Sequence, residues 1–151
     1  MSSARIFVIW DDIDLTKMFT IFFAEYGYVT HSAHSFDDGF AACLDQPPDI
    51  LIVPRTMTNQ DDGLEFCQQV RATASLTQIP LIVGYADLTP SWLDREEAYQ
   101  QAYETGVNAC FGRVFNPTDV LEQVEILLAN PMTTNLVDRQ TLRLSQKRAR
   151  K

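Results

Sequence analysis

The sequence predicts a doubly wound α/β domain built on five parallel strands. Short apolar runs rich in β-branched residues recur five times, and each is followed by a segment with helical periodicity. Glycine, proline or a capping residue marks most of the junctions. Strand and helix patterns alternating in this way define the α/β class.

Residues 5–10 (RIFVIW) read as the first strand. A helix follows over 14–26, with Leu15, Met18, Phe19, Phe22 and Phe23 at i, i+3, i+4, i+7 and i+8, and Gly27 as its stop. Residues 29–33 make a short second strand, and 36–44 a second helix with Ser35 as N-cap. The run DILIV (49–53) is apolar, β-branched-rich and bounded by turn formers, so it reads as a buried parallel strand that ends in Pro54 and Arg55. A loop and Asp62-Gly63 lead into a helix over 64–72. Residues 79–85 (IPLIVGY) are the fourth strand, whose early proline suits a strand start. Thr89-Pro90 opens the fourth helix, proline being favoured at the first helical position, and Gly106 ends it. Residues 109–113 (ACFGR) form the fifth strand, and Asn116-Pro117-Thr118-Asp119 opens a fifth helix that runs to about Ala129. Five such units fit the flavodoxin-like order 2-1-3-4-5 with helices on both faces, and ligands are expected at the carboxyl ends of strands one and three.

At 151 residues the chain is long enough for one substantial core, and a hydrophobic content of 46% is that of a soluble globule. No apolar run approaches the roughly 20 residues that span a bilayer. The N-terminus lacks a signal-peptide pattern, so the sequence points to the cytoplasm and away from membranes. Cys43, Cys67 and Cys110 are widely spaced, which favours free, buried thiols over redox or zinc work. Charge is unevenly distributed. Residues 1–138 hold 6 Lys/Arg and all 20 Asp/Glu, a net of −14, whereas 139–151 hold 6 basic residues and no acid, a net of +6. An acidic body repels nucleic acid, so binding to a polyanion would have to come from the tail.

The landmarks RIFVIWDD, EYGY, PDILIV, DGLEF, IPLIVGYA and TGVNACFGRVFNP occur in this order over about residues 5–129. Together they resemble a response-regulator receiver domain of the CheY-like kind. The resemblance implies a phosphorelay module of bacterial two-component signalling, in which an aspartate after the third strand takes a phosphoryl group from a histidine kinase. That chemistry needs a carboxylate nucleophile, hard oxygen ligands for Mg²⁺, and a lysine and a hydroxyl as fixed partners for the developing charge.

The positions that match these requirements have mostly changed. Pro54 stands where the acceptor aspartate belongs, and its neighbours Val53 and Arg55 are no better. Trp10 replaces the first acid of the Mg²⁺ pair, Asp11 matches the second, and Asp12 lies one residue further on. Tyr85 stands at the hydroxyl position and Arg113 at the lysine position. The sequence therefore implies a degenerate pseudo-receiver that is not phosphorylated. Trp10 and Tyr85 are expected to plug the emptied site. Asp11 and Asp12 have two readings: solvated strand-end acids, or an Asp11 that pairs with Arg55 or Arg113 so that an internal cation replaces Mg²⁺. Asp62 reads as turn chemistry rather than a substitute acceptor, and His31 and His34 as structural.

Two departures from the usual receiver length point to interactions. About six extra residues between Tyr85 and Gly106 bring in Trp92, with Tyr99 and Tyr103 near helical spacing among Glu96, Glu97 and Glu104. These aromatics either cover the sheet or offer a partner face. Receivers commonly dimerise or dock partners through helix four, strand five and helix five, and the resemblance implies the same surface here. After a receiver-like domain over 1–130, residues 131–151 form a basic extension that reads as a docking or oligomerisation helix, a flexible tail or a weak nucleic-acid arm.

The sequence thus implies a non-enzymatic signalling module with protein partners, controlled by partner binding rather than by phosphate and without cofactor or metal. Its rivals are an atypical receiver phosphorylated on another acid and a flavodoxin-like small-ligand binder. The turn after strand one, Trp-Asp-Asp-Ile-Asp, is acidic and glycine-free and would repel phosphate, which weighs against the second rival.

Overall fold

The computed structural model describes residues 4–85, 92–112 and 116–131, with the backbone alone for 92–95. The elements run β1 (Arg5–Ile9), α1 (Ile13–Ala24), β2 (Val29–Ala33), α2 (Phe36–Asp45), β3 (Ile50–Pro54), α3 (Gly63–Ala72), β4 (Leu81–Tyr85), α4 (Trp92–Thr105), β5 (Ala109–Gly112) and α5 (Pro117–Ala129). All neighbouring strands pair in parallel, in the order β2-β1-β3-β4-β5.

Local chemistry sets the boundaries. Asp12, Ser35, Asp62 and Asn116 cap α1, α2, α3 and α5, each accepting a backbone N–H of the first turn. Gly27 and Gly106 lie past the ends of α1 and α4 with φ of 86° and 90°, a region that costs a side-chain-bearing residue strain. Thr89 and Pro90, expected at the start of the fourth helix, lie outside the described residues, as do Arg113 and the extension from 132 onward.

Strand alternation builds two cores. Phe7, Ile9, Leu51, Val53, Leu81, Val83 and Tyr85 pack with α2, α3 and α4 on one face. Ile6, Val8, Ile50, Ile52, Ile82 and Phe111 pack with α1 and α5 on the other. Every residue of β3 and β4 is buried, as parallel central strands require, whereas β2 at the sheet edge is largely open.

Pro54 extends β3 by one residue beyond the expected strand, although proline removes a ladder donor. Alternation explains the tolerance. The N–H groups of Leu51 and Arg55 point to β4, bonding Pro80 O at 3.0 Å and Gly84 O at 2.7 Å. The nitrogen of Pro54 therefore faces β1, whose pairing with β3 has already ended at Val8 and Ile52.

Arg71 ties the opposite end of the sheet together. Its guanidinium donates five hydrogen bonds, to Gly106 O (3.1 and 2.9 Å), Thr77 O (3.0 Å), Ile79 O (2.7 Å) and Asn108 Oδ1 (2.9 Å). Asn108 Oδ1 also accepts Leu81 N at 2.9 Å, and its amide nitrogen donates to Pro131 O at 3.3 Å. One side chain thus links the ends of α3 and α4 to the starts of β4 and β5. Burial lowers the guanidinium pKa from its ordinary value, and the bonded carbonyls offset the cost of desolvating the charge.

Candidate functional site

The carboxyl ends of β1, β3, β4 and β5 meet where a doubly wound sheet places its ligand crevice. Ile50 and Ile52 face α1 and α5, so alternation directs Pro54 to the same side. Trp10 packs on that side too. Its ring lies 6.0 Å, centroid to centroid, from Phe111, which belongs to β5. The indole therefore starts at β1 and reaches past β3 to the far strands.

Gly84, the β4 partner of Pro54 in register, shows how full this space is. A Cβ at position 84 would come 2.7 Å from Phe111 Cζ and closer still to Trp10 Cη2. Such approaches lie below real contact distances, so the glycine makes room for the indole. Trp10 is also held by its backbone. Its N–H donates to Ala33 O at 3.0 Å, and its carbonyl accepts a hydrogen bond from His34 Nδ1 at 3.0 Å, which requires the proton on Nδ1. Sequence reasoning saw His34 only as a structural residue and missed this clip.

The acids are committed to backbone donors. Asp11 Oδ2 accepts Thr58 N at 2.8 Å, tying the β1–α1 turn to the β3–α3 loop. Asp12 Oδ1 accepts Leu15 N at 3.0 Å as the cap of α1. The loop itself is closed by a Thr56–Asp62 bridge and by Met57 N to Asp61 O at 2.9 Å. Gly63 N donates to Arg55 O at 2.8 Å, and a Cβ on Gly63 would run into the Pro54 carbonyl oxygen, so only glycine permits this return.

Three expectations need correction. Arg55 does not pair with Asp11. Its Nη1 lies 2.5 Å from Asp62 Oδ1, because the loop brings the α3 cap back beside the end of β3. Tyr85 does not share the Trp10 plug. It faces α3 and α4, where its hydroxyl donates to Ala98 O at 3.3 Å, and burial pushes its phenol pKa far above the ordinary value. Position 84, one residue earlier, is the one that faces the site. Tyr99 is buried in the core and cannot serve as a partner surface, whereas Tyr103 is 62% exposed. Arg113 and the Trp92 side chain lie outside the described residues.

The residues present do not fit the Mg²⁺ and phosphoryl chemistry that the resemblance implies. At the positions that the resemblance assigns to this chemistry stand the Trp10 indole, an Asp11 carboxylate that already accepts a backbone donor, and Pro54, which has no nucleophile. Among the described residues no group of three or more His, Cys, Asp or Glu side chains is placed to hold a metal ion. No described helix is long and apolar enough to cross a membrane.

No family model matches the sequence, and no curated protein matches it. Solved structures do. A chemotaxis response regulator of Vibrio cholerae, CheY4, superposes with a TM-score of 0.72 at 20% identity, over 83% of this chain and 99% of that one. A two-component response regulator of the LuxR family from Aurantimonas sp. SI85-9A1 gives 0.77 at 16% identity, over 98% and 99% of the two chains. A two-component response regulator from Clostridium difficile gives 0.72 at 16%, over 85% and 98%. The chain therefore shares the flavodoxin-like fold of these response regulators. At these identities the likeness establishes the fold, and the chemistry rests on the residues of the site.

Proposed function

We propose that this chain is a receiver-fold signalling module that works through protein–protein interaction and carries out no phosphoryl transfer. The single observation that supports the reading most is the Trp10 ring, which crosses the carboxyl end of the sheet from β1 to Phe111 on the face of buried Pro54. Phosphorylation of a receiver needs an accessible carboxylate, a cation site and polar donors there. A proline, an indole and a carboxylate already tied to Thr58 stand in their place.

Asp62 is a poor substitute acceptor, since its Oδ1 caps α3 through Leu64 N at 2.9 Å and pairs with Arg55. In a non-enzymatic module, control passes to binding. A cytoplasmic protein partner, or a second copy of the chain, would meet the α4–β5–α5 side, where Tyr103 stands out from the helix. Incubation with a small-molecule phosphodonor and Mg²⁺, read by intact mass, tests the proposal. An unchanged mass is expected, and a stoichiometric phosphoryl adduct would refute it.

A further inference from the structure

An open groove of about 250 Å³ runs along the seam between α3 and α4. Arg55, Asp62, Glu65 and Gln68 line one side, and Gln101 and Glu104 the other. With three carboxylates against one guanidinium, these residues carry a net −2. Arg55 is already paired with Asp62, so Glu65 and Glu104 are the charges left to attract a ligand. Both are solvent-exposed. Glu97, one turn before Gln101, is exposed as well and continues the acidic stripe up α4.

The end of the described chain lies at one mouth of this seam. Pro131 O accepts the Asn108 side-chain amide, Asn108 Oδ1 accepts Arg71, and Arg71 bridges the end of α3 to Gly106 at the end of α4. The described chain therefore ends near the close of α4, where Thr105 also lines the groove. All six basic residues of the extension lie in 139–151 with no acid among them. Arg139, Arg143, Lys147 and Lys151 recur at every fourth position, a spacing that would form one stripe on a helix. Seven residues lie between Pro131 and Arg139, so eight residue steps join them. Extended, they reach about 26 Å, more than the roughly 21 Å length of a 14-residue helix such as α4.

We propose that residues 139–151 dock in cis along the α3–α4 groove, with basic side chains against Glu65, Glu97 and Glu104. Charge complementarity, the take-off point and the available reach all favour this occupant. Docking within one chain also gains from a high effective concentration, which a separate partner lacks. The segment then covers an α4 surface that a partner could enter only by displacing it. The α3–α4 seam meets the Pro54 site only at Arg55 and Asp62, and docking there stands or falls independently of phosphoryl transfer.

Zero-length carbodiimide coupling of the full chain at low micromolar concentration, followed by peptide mapping, provides the test. The expected result is an amide between Lys147 or Lys151 and Glu65, Glu97 or Glu104 in the monomer fraction. These links should be lost at high salt, which screens exposed charges, and lost in the Glu65→Gln/Glu97→Gln/Glu104→Gln variant. The substituted positions are exposed, and far-ultraviolet circular dichroism confirms that the variant is folded. Links confined to covalent dimers would overturn docking in cis in favour of exchange between copies. Absence of links to these three residues, or links only to carboxylates elsewhere, would overturn the site.

Discussion

Trp10 and Gly84 are a matched pair: the indole that starts at β1 fills the space a side chain on β4 would need. Their coupling can be measured. Gly84→Ala should destabilise the protein by about 1–3 kcal/mol through overpacking. In a Trp10→Ala background the same change should cost markedly less, a coupling of roughly 0.5–3 kcal/mol for residues that share space. Urea unfolding of the four proteins supplies the cycle, and additive effects would show that the ring does not occupy this position.

Asp11 and Thr58 form the second tether across the site, and it is a hydrogen bond to a charged acceptor. Asp11→Ala should lower stability by about 1–2 kcal/mol. Because that carboxylate is already engaged and the neighbouring ligand position is an indole, millimolar Mg²⁺ should leave the melting temperature unchanged in both proteins. A clear rise with Mg²⁺ in the parent protein, absent in Asp11→Ala, would show that a cation site persists.

Arg71 is a structural hub whose removal takes its donors from the Gly106 and Ile79 carbonyls in a part-buried setting. Arg71→Met should cost about 1–3 kcal/mol, the range for leaving buried acceptors without a partner. Arg71→Lys should recover little, since an ammonium cannot present a planar fork to Gly106 O, Ile79 O and Asn108 Oδ1 together. Thermal denaturation monitored by circular dichroism distinguishes the two variants.

Burial pushes the thiol pKa values up, to about 11 for Cys43 and about 12 for Cys67, from an ordinary 9.0. A raised pKa in the folded state means that the native protein holds its protons where the unfolded chain releases them. Stability from these groups is therefore intact below pH 9 and is lost as pH rises from about 9 towards 11 and 12. Denaturation midpoints should fall across that window, and Cys43→Ala should flatten the slope. Cys43, Cys67 and Cys110 are buried and form no disulfide, so reaction with a disulfide reagent at neutral pH should await unfolding.

Much of the fold could be read from the chain because its signals are local. The i, i+4 stripe of α1, the caps Ser35 and Asn116, and Gly27 and Gly106 each act within a few residues. The apolar runs that become β3 and β4 are long enough to announce themselves. That position 54 carries no nucleophile is legible too, since no rotamer gives proline one. The site's inner arrangement was harder to read because it depends on parity and on distant partners. A one-residue step decides whether position 84 or 85 faces Pro54, and Tyr85 drew the attention that belonged to Gly84. The Arg55–Asp62 pair depends on how tightly the loop closes at Gly63. The reach of Arg71 to residues 35 and 37 positions away leaves no periodic trace in the sequence.

In the proposed reading the whole site has been rebuilt as packing and charge pairing, beyond the loss of one nucleophile. Pro54→Asp restores that nucleophile alone, so its intact mass after treatment with a phosphodonor and Mg²⁺ tests the claim most directly, with circular dichroism to confirm folding. The account predicts no phosphoryl adduct, because Trp10 still covers the position and Asp11 is still bound to Thr58. A folded Pro54→Asp protein that gains a phosphoryl group in a Mg²⁺-dependent manner would contradict it.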